Sequence, residues 1–156
     1  MQDELKRAKS YALKLLGSRA YSVNNLKKRL EHKGFSRDMV EQVVQYMLHY
    51  GYLNDENYAR NFVQMRMRRG IGKQRLYQEL LVKGIENELA EVVLADIPMA
   101  VELTLARRLA ARKLKLLRDK ESINIYGKLS RFLFQKGFSP AIISKTVEEM
   151  LSFPKD

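Results

Sequence analysis

Cysteine is absent from the 156 residues, and histidine occurs only as His32 and His49. Without cysteine there can be no disulfide staple, thiol nucleophile or thiolate metal site. Two imidazoles are too few for a histidine-based metal cage, so neither metal nor cofactor is expected. No apolar run approaches the ~20 residues that a bilayer-spanning helix needs. Residues 1–9 are charged and carry no apolar stretch ahead of a small-residue cleavage site, so no secretory leader is expected and a cytoplasmic location is. Acid is the scarcer charge, with 18 Asp+Glu against 29 Lys+Arg, a formal net charge of +11 and a pI near 9.9. Such an excess draws polyanions: nucleic acid, an acidic membrane face or an acidic protein surface. What remains is ample core material, 46% hydrophobic residues beside 30% charged ones, which argues for an ordered chain.

The strongest pattern is repetition. Three segments beginning at Leu26, Leu76 and Leu129 superpose without a gap. Each carries Leu-x-x-x-Leu, then a Lys-Gly pair (Lys33-Gly34, Lys83-Gly84, Lys136-Gly137) followed by Phe35, Ile85 or Phe138. From each glycine, apolar residues recur at +5 (Met39, Leu89, Ile142), +10 (Val44, Leu94, Val147) and +13 (Met47, Ile97, Met150). The sequence therefore reads as three tandem units of about 50 residues, with boundaries at 1–51, 52–97 and 98–156. No strand-like alternation appears, so the fold expected is all-α, three tandem three-helix repeats in an elongated, curved array.

Each unit predicts three helices. First helices are expected over 4–16, 55–69 and 99–118, with Asn54 capping the middle one and Asp55 and Glu56 in its first turn. Second helices end at Gly34, Gly84 and Gly137, where a left-handed backbone costs least without a Cβ. Third helices are expected over 36–50, 86–97 and 139–151, and Ser139-Pro140 is a clear start: hydroxyl cap, then a proline whose missing N–H does no harm.

Charge divides unevenly over this scaffold. The third helices are net negative, the middle one through Glu86, Glu88, Glu91 and Asp96. The stretch from Phe62 to Gln78 contains no acidic residue. Arg60, Gln64 and Arg68 form a stripe opposite Ala59, Phe62 and Val63, and Arg108, Arg112 and Lys115 form one opposite Leu109, Ala110 and Leu117. Any one of these cations suits a solvated face, but together they suit a polyanion-facing surface. Arg66 falls beside the apolar stripe, where a structural ion pair and a ligand contact are equally good readings. A helix-turn-helix DNA reader fits poorly, since its last helix would have to enter the major groove against phosphates while being acidic here. Gly70-Ile71-Gly72-Lys73 resembles the end of a phosphate loop, yet Gln74 replaces the magnesium-holding hydroxyl and Met67 an earlier glycine. It reads as an interhelical turn whose amides remain open to a single phosphate. Tyr50, Tyr52 and Tyr58 cluster at the first boundary, where packing between units is favoured over stacking on bases. No active site is recognisable, and the chain is not expected to be an enzyme.

Gly51-Tyr-Leu-Asn-Asp-Glu-Asn-Tyr-Ala-Arg60, followed by Phe62-Val63, Arg66, Arg68-Arg69-Gly70 and Leu80-x-x-Lys83-Gly84-Ile85, resembles the central signature of the RecX family, with Asn54 where the family usually has Asp. Looser similarity runs through 22–35 and from Phe132-Leu133 to Gly137-Phe138. The resemblance implies tandem three-helix repeats and a cytoplasmic, monomeric regulator of the RecA recombinase in recombinational DNA repair and the SOS response. It implies binding to the RecA filament and to single- or double-stranded DNA phosphates in the filament's helical groove, with inhibition of ATP hydrolysis and strand exchange and no membrane partner. Carried onto this chain, the contact candidates are Arg60, Arg66, Arg68, Arg69, Lys73 and Arg75, then Arg107, Arg108, Arg112 and Lys115, then Lys27 and Lys28. A nucleic-acid-binding protein acting without RecA and a helical scaffold whose charge serves solubility are the alternatives.

Overall fold

Helix boundaries follow from caps written into the sequence. The computed structural model describes residues 2–152, and among them the chain forms nine α-helices and no strand. They are α1 (Gln2–Ser18), α2 (Val23–Lys33), α3 (Arg37–His49), α4 (Asp55–Arg68), α5 (Lys73–Val82), α6 (Asn87–Ala95), α7 (Met99–Asp119), α8 (Ile125–Gln135) and α9 (Pro140–Ser152). Residues 1 and 153–156 of the expected repeats lie outside the described residues. Ser22 caps α2 by accepting from the Asn25 amide, and Ser36 caps α3 by accepting from Met39. Asn54 accepts from the Asn57 amide at 3.1 Å, and Ser139 accepts from Ile142 at 3.3 Å. Each such cap is worth about 1 kcal/mol because it satisfies an amide that the helix itself leaves open.

The Lys-Gly pairs end the second helices as expected. Gly34, Gly84 and Gly137 have φ of +109°, +85° and +99°. The next residue's amide returns to the helix: Phe35 to the Leu30 carbonyl, Ile85 to Leu80 and Phe138 to Leu133. This is a Schellman closure, and it carries the following apolar side chain back over the helix it has left. Ile85 and Phe138 are buried by it.

Two compact units emerge, and neither matches a single repeat. Among the described residues, one takes residues 2–61 together with Leu80–Ala90; the other takes Phe62–Glu79 with residues 91–152. In the first unit α1, α2 and α3 pack together around Ala8, Ala12, Leu26, Leu30, Val43 and Met47, all fully buried. In the second, α7, α8 and α9 pack together around Ala106, Ala110, Leu129, Leu133, Phe138 and Val147, with Met67 of α4 against them. Full burial of one such Leu, Met or Phe contributes about 1.5–3 kcal/mol.

The same device joins repeat to repeat inside each unit. In the first, the Ser22 hydroxyl donates to the Lys83 carbonyl at 2.8 Å, and Asn24 lies so close to Gly84 that a Cβ there would meet its side chain at 2.2 Å. In the second, the amides of Gly72 and Gln74 donate to the carbonyls of Lys136 (2.7 Å) and Gly137 (2.9 Å). A Cβ at Gly137 would stand 2.4 Å from that of Arg75. The start of one second helix thus sits on the Lys-Gly end of the next. Gly34, the first of the series, has nothing within 4 Å of such a Cβ, so its glycine answers only to the backbone angle.

Candidate functional site

Within the second unit, α4 and α7 present cations on the faces that periodicity assigns to solvent. Val63 is buried while Gln64, Arg68 and Arg69 are exposed. On α7, Leu109, Ala110 and Leu117 are buried while Arg108, Arg112 and Lys115 are exposed. α4 stops where Gly70, at φ +88°, lets the chain turn against α7: a Cβ there would stand 2.9 Å from the Leu109 side chain. Arg68 therefore occupies the last turn of α4, and Arg69 follows it, where the helix dipole favours positive charge.

Pairing separates the twelve candidates into two groups. Arg66 forms a two-pronged ion pair with Glu79, Nε to Oε1 at 2.7 Å and Nη2 to Oε2 at 3.0 Å, and Arg75 adds Nε to Oε2 at 3.1 Å. The Arg66 hydrogen bonds, helped by its charge and opposed by burial, hold the Glu79 carboxyl below its usual range and raise the Arg66 guanidinium. Of the two readings open for Arg66, the structure shows the ion pair. Lys73 donates to the Ile97 carbonyl at 2.8 Å and lies 3.5 Å from the buried carboxylate of Glu102. Arg107 grips Glu149 with both prongs, at 2.8 and 3.1 Å. In the first unit Lys27 pairs with Glu41 at 2.9 Å, and Arg60 pairs with Glu56 one turn earlier at 3.1 Å. The remaining six, Lys28, Arg68, Arg69, Arg108, Arg112 and Lys115, are exposed. None of these six has an ion-pair partner among the described residues. Four of them lie on α4 and α7 and Arg69 directly follows α4, all within the second unit; Lys28 belongs to the other unit.

Between the C-terminal half of α4 and the N-terminal half of α7 runs an open groove of about 510 Å³. Its lining is mostly apolar, with Met67, Val101 and Leu105 prominent, and both Arg68 and Arg108 contribute to it. Sequence reasoning missed this groove. The available signal was Val101, an apolar residue next to the basic stripe that the structure leaves 46% exposed.

Two further expectations change. Two of the amides that open α5, those of Gly72 and Gln74, are closed to a phosphate because the carbonyls of Lys136 and Gly137 take them. Tyr50 and Tyr52 are exposed rather than packed away, at 61% and 53%. Gly51, at φ +76°, turns the chain there and Leu53 takes the buried position instead. Tyr50 leans on Tyr46, ring centres 4.7 Å apart, and burial raises the hydroxyl pKa of half-buried Tyr58. Among the described residues no three His, Asp or Glu side chains cluster as metal ligands. No helix of the described residues is long and apolar enough to cross a membrane.

Comparison with known proteins matches the chain to all three domains of one family: the first three-helix domain of RecX over residues 8–47, the second over 54–94 and the third over 100–147. The regulatory protein RecX of Caldanaerobacter subterraneus subsp. tengcongensis is 34% identical across 92% of this chain and 71% of its own length. That of Legionella pneumophila is 33% identical across 90% and 93%. The crystal structure of RecX from Lactobacillus salivarius superposes with a TM-score of 0.88 at 24% identity, covering 96% of this chain and 98% of that one.

Proposed function

Since the chain belongs to the RecX family of regulatory proteins, we propose that it regulates the RecA recombinase as an inhibitor. It does so by lodging in the helical groove of the RecA–DNA filament and slowing ATP hydrolysis, strand exchange and filament growth. One observation carries the choice of contact surface: five exposed cations of one unit, Arg68 on α4, Arg69 just after it, and Arg108, Arg112 and Lys115 on α7, have no carboxylate partner among the described residues. A guanidinium without an internal partner retains its full hydrogen-bonding fork for phosphate or an acidic protein surface. Arg66, Lys73, Arg75 and Arg107 serve the fold in this reading, because moving them to a ligand would strand Glu79, Glu102 or Glu149.

The test is RecA's DNA-dependent ATPase, followed with and without substoichiometric protein. The wild type should inhibit, and a variant carrying Arg68→Glu, Arg69→Glu, Arg112→Glu and Lys115→Glu should not. Binding to single-stranded DNA alone should weaken with salt at a slope of about −0.7 per phosphate neutralised. An ATPase rate indifferent to the wild type at every salt concentration would remove the proposal and leave DNA binding without a recombinase.

A further inference from the structure

We infer that the groove between α4 and α7 receives an acidic, amphipathic helical segment of a protein partner, not nucleic acid. The inference rests on the regulatory reading above in supposing that the partner is a protein.

The floor decides against a nucleic-acid backbone. Met67, Ala100, Val101 and Leu105 line the groove. Thr104, which also borders it, turns its hydroxyl back to the Ala100 carbonyl at 2.9 Å. Polar capacity facing an occupant therefore comes from the Gln64 amide and from the guanidinium groups of Arg68 and Arg108. A sugar-phosphate chain laid there would meet apolar surface along most of its path, with charge recognised at only two residues. A helix with one apolar stripe and carboxylates beside it meets both needs. Its stripe covers the floor by the helix-in-groove mode, and each carboxylate finds a guanidinium that has no ion-pair partner among the described residues.

The chemistry of the floor agrees with this occupant. Met67 is half-buried and also packs on the α7–α9 core, so one unbranched, adaptable side chain belongs to both floor and core. Arg112 and Lys115 lie one and two turns beyond Arg108 on α7, outside the groove lining. Those two stay open to phosphate, and the groove adds a separate protein contact.

The experiment uses the full chain and two fluorescein-labelled 18-residue helical peptides. Both carry leucines at i, i+3, i+4 and i+7; one has glutamates on both flanks of that stripe and the other lysines. Fluorescence anisotropy should give at least tenfold tighter binding to the glutamate peptide. Arg68→Glu with Arg108→Glu should invert that preference. Val101→Asn should weaken the glutamate peptide about tenfold, with an unchanged thermal melt and single-stranded DNA affinity within twofold of wild type. Equal affinity for the two peptides, binding of neither, or a parallel loss of DNA binding in Val101→Asn would overturn the inference. Self-association abolished by Val101→Asn would overturn it too, giving the groove to a second copy of this chain and its acidic α6. A parallel arm asks whether the wild type co-sediments with RecA filaments on single-stranded DNA. Failure there removes the recombinase reading, while the peptide arm still decides the groove.

Discussion

Replacing Glu79 by glutamine tests which cations hold the fold together. The carboxylate accepts hydrogen bonds from Arg66 at 2.7 and 3.0 Å and from Arg75 at 3.1 Å. The Arg66 and Glu79 side chains are only 21% and 22% exposed, so water screens that pair incompletely, whereas Arg75 is more open and adds little. Loss of the charge leaves a half-buried guanidinium with a neutral partner, which should cost about 1–3 kcal/mol. For a chain of this size that lowers Tm by roughly 2–4 °C per kcal/mol. The direction of the pH dependence follows from the carboxyl's depressed pKa. The folded chain holds Glu79 ionised more firmly than the unfolded one does, so its stabilisation is complete above the ordinary value of about 4.3. It is lost as pH falls through the lower folded-state value. Urea midpoints of wild type and Glu79→Gln should therefore differ fully at pH 7 and converge below about pH 4. Equal midpoints at pH 7, or a gap that stays constant into acid, would refute the clamp. A double-mutant cycle with Arg66→Gln should return a coupling of about 1 kcal/mol or more.

Gly137→Ala should destabilise more than Gly34→Ala by denaturant titration: both force a left-handed residue at about 1–2 kcal/mol, but only the former drives a Cβ into Arg75. Ser22→Ala removes the α2 cap and the donor to Lys83, and should cost about 1–2 kcal/mol by urea unfolding. Lys73→Met leaves buried Glu102 without its ammonium, and a thermal melt should record a loss of about 1–3 kcal/mol. Arg69→Ala, by contrast, should change stability by no more than about 0.5 kcal/mol while weakening retention on a heparin column.

Much of this architecture was legible because its signals are local. A serine before a helix, a glycine after it and an apolar residue returning over the last turn all act within five or six positions, as Ser36, Gly34 and Phe35 do. The basic stripes were legible for the same reason: 3.6-residue periodicity alone puts Arg108 and Arg112 opposite Leu109. What stayed hidden depends on remote partners. Arg107 and Arg108 are adjacent and chemically identical, yet one is held by Glu149, 42 positions away, and the other has no such partner among the described residues. Lys73, in a stretch without acid, is answered by Glu102 from another helix. The groove was hidden likewise, since it needs two helices 30 or more positions apart to converge, and neither carries its outline.

The Ser22–Lys83 hydrogen bond bears on how a growing chain acquires its form. A protein made from its N-terminus releases α1, α2 and α3 from the ribosome well before residues 80–90, which complete the same compact body. For that interval, at ~5–20 residues per second, the Ser22 hydroxyl and the surface beside Asn24 await segments not yet synthesised. The first fifty residues therefore emerge with the core of that body in hand but without the carbonyl that receives the Ser22 hydroxyl, which the Lys83-Gly84 turn supplies later.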